Sequence, residues 1–394
     1  MVIYIFTAVI SSWLVWLEEK IGNNKLKGLL LFLAVLIPAI VAGMRADIIG
    51  TDVRTYIEPL QYFANSSNKY SDFINYSGPL YNGEYLSRFE KGYVSLIYLC
   101  SRFDKSLFLT LFVCELIILG TLIGGLYKFN KKHHLSICLG LFIFLTLFYN
   151  LSFNLSRQCI AIFILFFGFN YLIDNSWIKY LITVIIAMLF HNSATIGVVF
   201  LVIYWFLYIT KGKIKLKIQN IILSNNDLKV VFIALIGFII IFTPSLVRSL
   251  FSSFSVLATY TNYIPETIDL SIRQLVVKLP FLAIILIEWK NMQNNPLRYF
   301  YLSIALIDIF LSQFSGQQSA IATVSDYGAR ISWYTSAFYI YSVPNALMSD
   351  TDRKRKSILV AGLVIFLIIY WYYFTVVLNY NETFPYVFSN SYFR

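Results

Sequence analysis

Two short stretches set an arginine at the polar edge of an apolar run. Asn154-Leu155-Ser156-Arg157-Gln158 opens the run 157–174, and Arg330, with Tyr334 one turn later, opens the run 330–348. A guanidinium stays charged when partly desolvated and grips phosphate oxygens in a bidentate fork. The first turn of a helix carries the positive end of its dipole, so both places suit an anion. Three other residues have the chemistry to take up a proton. His191, in Phe190-His191-Asn192-Ser193-Ala194, is the one histidine apart from the pair His133-His134, and imidazole exchanges a proton near neutral pH. Asp52 and Glu90 are carboxylates of the kind that serve as general bases; Arg45, Thr51 and Tyr56 flank Asp52. Plainer readings stand beside these. Arginines snorkel to headgroups or pair with acids, Asp52 pairs with neighbouring Arg54, and His191 caps the helix that follows it. No second histidine or cysteine stands at a ligand spacing from His191, so no metal and no cofactor is expected.

The elements that must position these groups are membrane helices. The chain has 394 residues, of which 58% are hydrophobic and 13% charged, with a mean hydropathy of +0.70; a soluble globular domain carries about 25% charged residues. About twelve runs are long and apolar enough to read as spans: 2–17, 28–44, 106–127, 135–150, 157–174, 178–191, 194–210, 228–247, 272–289, 297–314, 330–348 and 357–379. The first lacks a basic leader and a small-residue cleavage site, so it reads as a retained helix. The run Gly92–Phe103 is too short to cross and reads as interfacial. Cys100, Cys114, Cys138 and Cys159 all lie in apolar context and read as core filler. The expected fold is all-α, one integral-membrane domain over 1–394.

Orientation follows from lysine. Lys20/Lys25/Lys27, Lys128/Lys131/Lys132, Lys211/Lys213/Lys215/Lys217 and Arg353/Lys354/Arg355/Lys356 fall on one side of the spans, the cytoplasmic side by the positive-inside rule. Both termini and the loops 45–105, 248–271 and 315–329 then lie outside. The net charge of +11 is explained in part by this rule rather than by nucleic acid, and no Gly-rich phosphate loop or cytoplasmic domain is present to take a nucleotide. The inside set has 15 Lys and 3 Arg, the outside set 4 Lys and 9 Arg. Arginine placed against the trend calls for a reason besides topology, and a phosphate at the membrane surface supplies one. The outer loops also carry Tyr56, Tyr62, Tyr70, Tyr76, Tyr81, Tyr85, Tyr260, Tyr263 and Tyr327, which suit an interfacial belt or stacking on sugar rings.

Five motifs follow in order: Arg45-Ala-Asp-Ile-Ile-Gly-Thr-Asp-Val-Arg-Thr-Tyr56, Phe89-Glu-Lys-Gly-Tyr93, Arg157-Gln-Cys-Ile-Ala161, Phe190-His-Asn-Ser-Ala194 and Arg330-Ile-Ser-Trp-Tyr334. Together they resemble the EpsG family of Wzy-type bacterial polysaccharide polymerases over most of the chain. Val53-Arg54 departs from the pattern, which has a small or polar residue and then a neutral one, so Arg54 receives no role. The resemblance implies a GT-C-like helical bundle with an extracytoplasmic cavity, in the cytoplasmic (inner) membrane. It implies a glycosyltransferase that joins undecaprenyl-pyrophosphate-linked oligosaccharide repeats into O-antigen, capsule or exopolysaccharide. Membrane lipid, a flippase and a chain-length regulator are the partners it implies.

On this reading Arg157 and Arg330, with Arg45, Gln158, Tyr334, Tyr56 and Thr51, hold substrate. Asp52, His191 and Glu90 are the acid–base candidates, with His191 and Asp52 preferred, one accepting the proton and the other orienting the acceptor. An O-antigen ligase uses related chemistry on another acceptor. A lipid-linked saccharide flippase calls for charge along a path through the bundle, whereas Glu115, Asp308 and Glu288 are the few intramembrane acids.

Overall fold

The computed structural model describes residues 1–208, 216–218, 221–242, 245, 249, 252–253, 270–314 and 326–389. Among the described residues the regular structure is helical apart from one small antiparallel hairpin, Leu216–Ile218 with Ile221–Leu223. Within the described residues each expected span overlaps helix. Among the described residues, five helices are long and apolar enough to cross a membrane unaided: Val2–Lys20, Asn24–Gly43, Phe108–His133, Ser156–Ile173 and Arg353–Val377. The expected outer loop 248–271 lies almost wholly outside the described residues, as do 315–325 and the lysines of 211–215.

Chain contacts divide the molecule into two compact units, Met1–Gly197 with Ala361–Arg394, and Val198–Val360. The first unit contains α1 (Val2–Lys20), α2 (Asn24–Gly43), α3 (Glu58–Ser66), α4 (Tyr70–Ile74), α5 (Lys91–Phe103), α6 (Phe108–His133), α7 (Ile137–Leu147), α8 (Tyr149–Asn154), α9 (Ser156–Ile173) and α10 (Trp177–Met188). Its centre is α9, apolar all round as a fully enclosed helix must be, with Cys159 through Phe166 buried without a break. Helices α6 and α10 flank α9, α2 packs on α6, and α1 packs on α2 and α7. The 26 residues of α6 rise about 39 Å, more than the hydrocarbon of a bilayer.

Helix α5 has 13 residues and buries Tyr93, Val94, Ile97, Tyr98, Cys100 and Ser101, one face at helical spacing. It is too short to cross a bilayer as a single helix and packs against α3 and α6.

The C-terminal tail returns to the end of α2. Tyr4 Oη donates to the Thr383 carbonyl at 2.6 Å, Tyr386 Oη to the Val41 carbonyl at 2.6 Å, and Asn150 Nδ2 to Thr383 Oγ1 at 2.9 Å. Backbone amides of Ala46 and Gly50 donate to the Val387 and Glu382 carbonyls. The stretch after α2 is therefore clamped between the tail and α8. Gly50 is the residue that permits it: its φ is +84°, and a Cβ there would collide with the Phe153 carbonyl.

The second unit contains α11 (Ile196–Tyr208), α12 (Asn225–Phe242), α13 (Ile272–Ile287), α14 (Arg298–Ser312), α15 (Asp326–Ser336) and α16 (Tyr339–Met348), followed by α17 (Arg353–Trp371). Helix α14 packs on α12, α13 and α15, and α13 on α16. The run 330–348, read from sequence as one span, is two helices that break at Ala337-Phe338.

Candidate functional site

Four of the five motifs meet in the first unit. Glu90, the N-cap of α5, reaches two of the others at once. Its Oε2 accepts from Arg157 Nη1 at 2.9 Å, and its Oε1 accepts from the Asn192 backbone amide at 3.0 Å. The side chains of Arg157 and Glu90 are 17% and 9% exposed, so the pair is shielded yet reachable. The Arg157 guanidinium is ringed by aromatics, with its Cζ 5.3 Å from the Tyr56 ring centre, 5.0 Å from Phe89 and 5.9 Å from Tyr93. This walls the cation with π-faces that favour its charge without hydrating it. Tyr93 Oη and Ser156 Oγ are 3.0 Å apart, and burial pushes the Tyr93 phenol well above its usual pKa, so it stays a neutral hydrogen-bonding group.

The close approach of α5 to the end of α10 depends on Gly92. A Cβ there would lie 2.6 Å from the Leu189 carbonyl oxygen, the same oxygen that accepts from the Tyr93 amide at 3.2 Å. Glycine in Glu-Lys-Gly-Tyr is thus a packing requirement that brings Glu90 beside Asn192.

Asp52 joins the group through α8. Its backbone amide donates to Asn154 Oδ1 at 3.3 Å, and its carboxylate acts electrostatically on the Tyr93 phenol. Arg54 pairs with Asp47 at 3.5 Å. Val53–Ile57 forms a π-helical turn, which directs Tyr56 to Arg157; such turns recur at functional sites. Thr51 donates to Glu382 Oε2 of the tail at 2.8 Å. Arg45 is only 2% exposed; it donates to the Ala42 carbonyl at 2.7 Å and the Phe153 carbonyl at 3.5 Å, and stacks 4.2 Å from the Phe153 ring. In this arrangement Arg45 fastens the motif to α8. Gln158 is likewise buried, at 2%.

His191 is the N-cap of a short 3₁₀ turn, Asn192–Thr195. Its Nδ1 lies 2.6 Å from Ser193 Oγ and accepts from the Ser193 amide at 3.3 Å. The capping role expected of it is present. Because an amide can only donate, Nδ1 carries no proton in this contact, and the neutral ring therefore bears its hydrogen on Nε2.

Arg330 and Tyr334 belong to the second unit, one turn apart on α15, with Arg330 exposed and Tyr334 2% exposed. The foot of that helix is held by a charge pair that the motif reading passed over. Lys278 Nζ lies 3.0 Å from Asp308 Oδ2, while Thr335 and Ser336 hydroxyls donate to Asp308 Oδ1 at 2.7 and 2.9 Å. Lys278, counted from sequence among the outer lysines, signals its burial only by its apolar setting, Val276-Val277-Lys278-Leu279-Pro280. Among the described residues no three or more His, Cys, Asp or Glu side chains gather as a metal site.

No curated protein and no solved structure matches the chain. The sequence model of one family, described as the EpsG family, matches residues 28–388, which include every motif of the cluster. The chain therefore belongs to the EpsG family, polytopic membrane proteins of polysaccharide biosynthesis.

Proposed function

We propose that this protein polymerises undecaprenyl-pyrophosphate-linked oligosaccharide repeats at the outer face of the cytoplasmic membrane. The observation that carries this reading is Glu90: one carboxylate ties an aromatic-walled arginine to the His191 turn and so gathers three separate motifs, with Tyr56 of a fourth against the arginine. Family membership supports a polysaccharide polymerase.

In the reaction, a hydroxyl of the acceptor repeat attacks the anomeric carbon of the donor glycan. The new C–O bond forms as the bond to lipid pyrophosphate breaks, and the hydroxyl proton leaves with a base. Negative charge grows on the departing pyrophosphate. The donors of Arg157 not spent on Glu90 form a fork that stabilises that charge in a shielded site; Arg330, on α15 of the other unit, is a separate phosphate-binding candidate. His191, with its proton on Nε2, donates to the leaving group or orients the acceptor. Asp52, an acceptor-only group when ionised, takes the proton. Arg45 and Thr51 hold the first motif in register through the Ala42 and Phe153 carbonyls and Glu382, and Gln158 remains a substrate-binding candidate. Both substrates are lipid-anchored at one depth, which lowers the entropic cost of their meeting.

Deletion of the gene in its host tests the reading. Loss of the surface-glycan ladder with single repeats still present supports a polymerase. Loss of all surface glycan would point to a flippase or ligase. The outer-face assignment has its own check. Ser87→Cys, an exposed position beside Arg88, should label with a membrane-impermeant thiol reagent in intact cells, and labelling only after lysis would place the cluster on the wrong side.

A further inference from the structure

A cavity of about 570 Å³ opens beside the first motif, lined among others by Asp47, Glu58, Tyr62, Asn65 and Lys105, with Val387–Ser389 of the tail closing one side. Its lining does not include Glu90, Arg157 or His191. The volume falls within the usual range for small-ligand sites, about 300–1,000 Å³. We propose that this cavity is the seat of the acceptor glycan, with its hydroxyls held by Glu58 and Asp47 and a ring face resting on Tyr62.

Three observations carry the proposal. The first is the chemistry of the wall. Glu58 and Asp47 accept hydrogen bonds, while Asn65 is tied into the wall by its Nδ2, which donates to the Lys105 carbonyl at 2.8 Å. Hydroxyl groups of a sugar donate to these carboxylates, and Arg54, paired with Asp47, and Lys105 offset part of their charge. The second is the aromatic edge. Tyr62 is 65% exposed and meets Tyr81 edge-on at 5.5 Å, which leaves large ring surfaces at the rim. The third is the placement. The helical stretch from Val53 to Ser66 presents Tyr56 to Arg157 and, from its next turns, Glu58, Tyr62 and Asn65 to the cavity. One short element thus has a cationic, phosphate-suited cluster on one side and a hydroxyl-suited cavity on the other.

The assignment to the acceptor rests on the polymerase reading; the binding of a neutral glycan does not, and the experiment separates the two. The probe is the lipid-free repeat oligosaccharide released by mild acid from the host's own surface glycan. It is titrated into the full-length protein in nanodiscs and followed by saturation-transfer NMR. Wild type should bind it; Glu58→Gln should weaken binding about tenfold, the scale of one hydrogen bond to a charged group, and Tyr62→Ala about as much through the lost ring face. Arg157→Lys should bind as wild type does. Melting curves confirm that the variants are folded, and the near-isosteric Glu58→Gln covers the case in which Tyr62→Ala is not. Wild-type binding in both cavity variants, or loss in Arg157→Lys alone, moves the glycan to the arginine cluster and overturns the proposal. Absence of binding by wild type also overturns it. If glycan binding behaves as expected while gene deletion leaves the ladder intact, the polymerase reading fails and the site remains.

Discussion

Glu90 and Arg157, 67 residues apart in sequence, form a 2.9 Å ion pair that sits where α5, α9 and the turn after α10 meet. The carboxylate is fixed by a second bond to the Asn192 amide, so it sets the direction in which the guanidinium points. A fork aimed in this way is arginine-specific, because lysine supplies the charge as a point and not as a plane.

Arg157→Lys should therefore keep the protein at normal level while abolishing or nearly abolishing the glycan ladder, and Arg330→Lys should do the same. Lysine at Arg102, whose guanidinium is spent on the Ser67 and Ala64 carbonyls, should be mild. Ladders of wild-type length in all three strains would remove the pyrophosphate from this cluster.

Gly92→Ala tests how the cluster is assembled. The added methyl group meets the backbone oxygen of Leu189, which cannot swing aside as a side chain can. Overpacking of this kind costs about 1–3 kcal/mol. Here the relief is a shift of α5 away from α10, which draws Glu90 off the Asn192 amide. The expected result is a lower melting temperature in detergent together with a loss of ladder out of proportion to the loss of protein. An unchanged melting curve would mean that the two segments part easily and that their contact does not hold the site.

The four motifs of the first unit announce themselves in sequence because each combines a charged or titratable residue with a helix end. Their meeting does not, since it depends on contacts across long sequence distances. Glu90 reads as an acid–base candidate, and nothing local marks its pairing with Arg157. Arg45 reads as a substrate-holding residue, but the tail and Phe153 enclose it. The tail itself, Thr383 to Ser389, carries no charged residue and no periodicity, so nothing marked it as the clamp on Ala46 and Gly50. The break of 330–348 at Ala337-Phe338 was equally silent, because neither glycine nor proline stands there to mark it. Helix positions were legible because apolar length is a local property; the cavity at Glu58 was not, because a π-turn and the tail create it.

Glu58 gives the protein a pH-dependent term. Desolvation at the cavity wall, then the charge of Asp47, raises its carboxyl above the ordinary range, and Arg54 opposes this. The folded protein thus binds more protons at this site than the unfolded chain in the window just above the usual glutamate pKa of about 4.3. Stability from this group is fully present below that value and is lost as pH rises through the raised folded value. Glu58→Gln removes the term. The melting temperature of wild type minus that of the variant should fall between pH 4 and neutrality, and a difference that rises with pH would reverse the assignment.

The division of labour between Asp52 and His191 is the sharpest consequence of the geometry. The Ser193 amide points at His191 Nδ1, so the neutral ring offers a hydrogen from Nε2 and has no lone pair there with which to accept one. A base at that position would first have to give up its own proton. Asp52 has no such conflict, and Asn154 holds its backbone beside α8. With purified enzyme and lipid-linked repeats, Asp52→Asn should cut turnover by roughly 10²-fold or more, the scale of a lost acid–base group, with donor binding intact. His191→Gln retains an amide hydrogen for the Nε2 position, whereas His191→Ala does not. Turnover should therefore be partly rescued in His191→Gln relative to His191→Ala, which a proton-accepting histidine would not allow, since glutamine cannot titrate. Equal, complete loss in both His191 variants alongside near wild-type turnover in Asp52→Asn would make the histidine the base and leave Asp52 a structural residue of the turn.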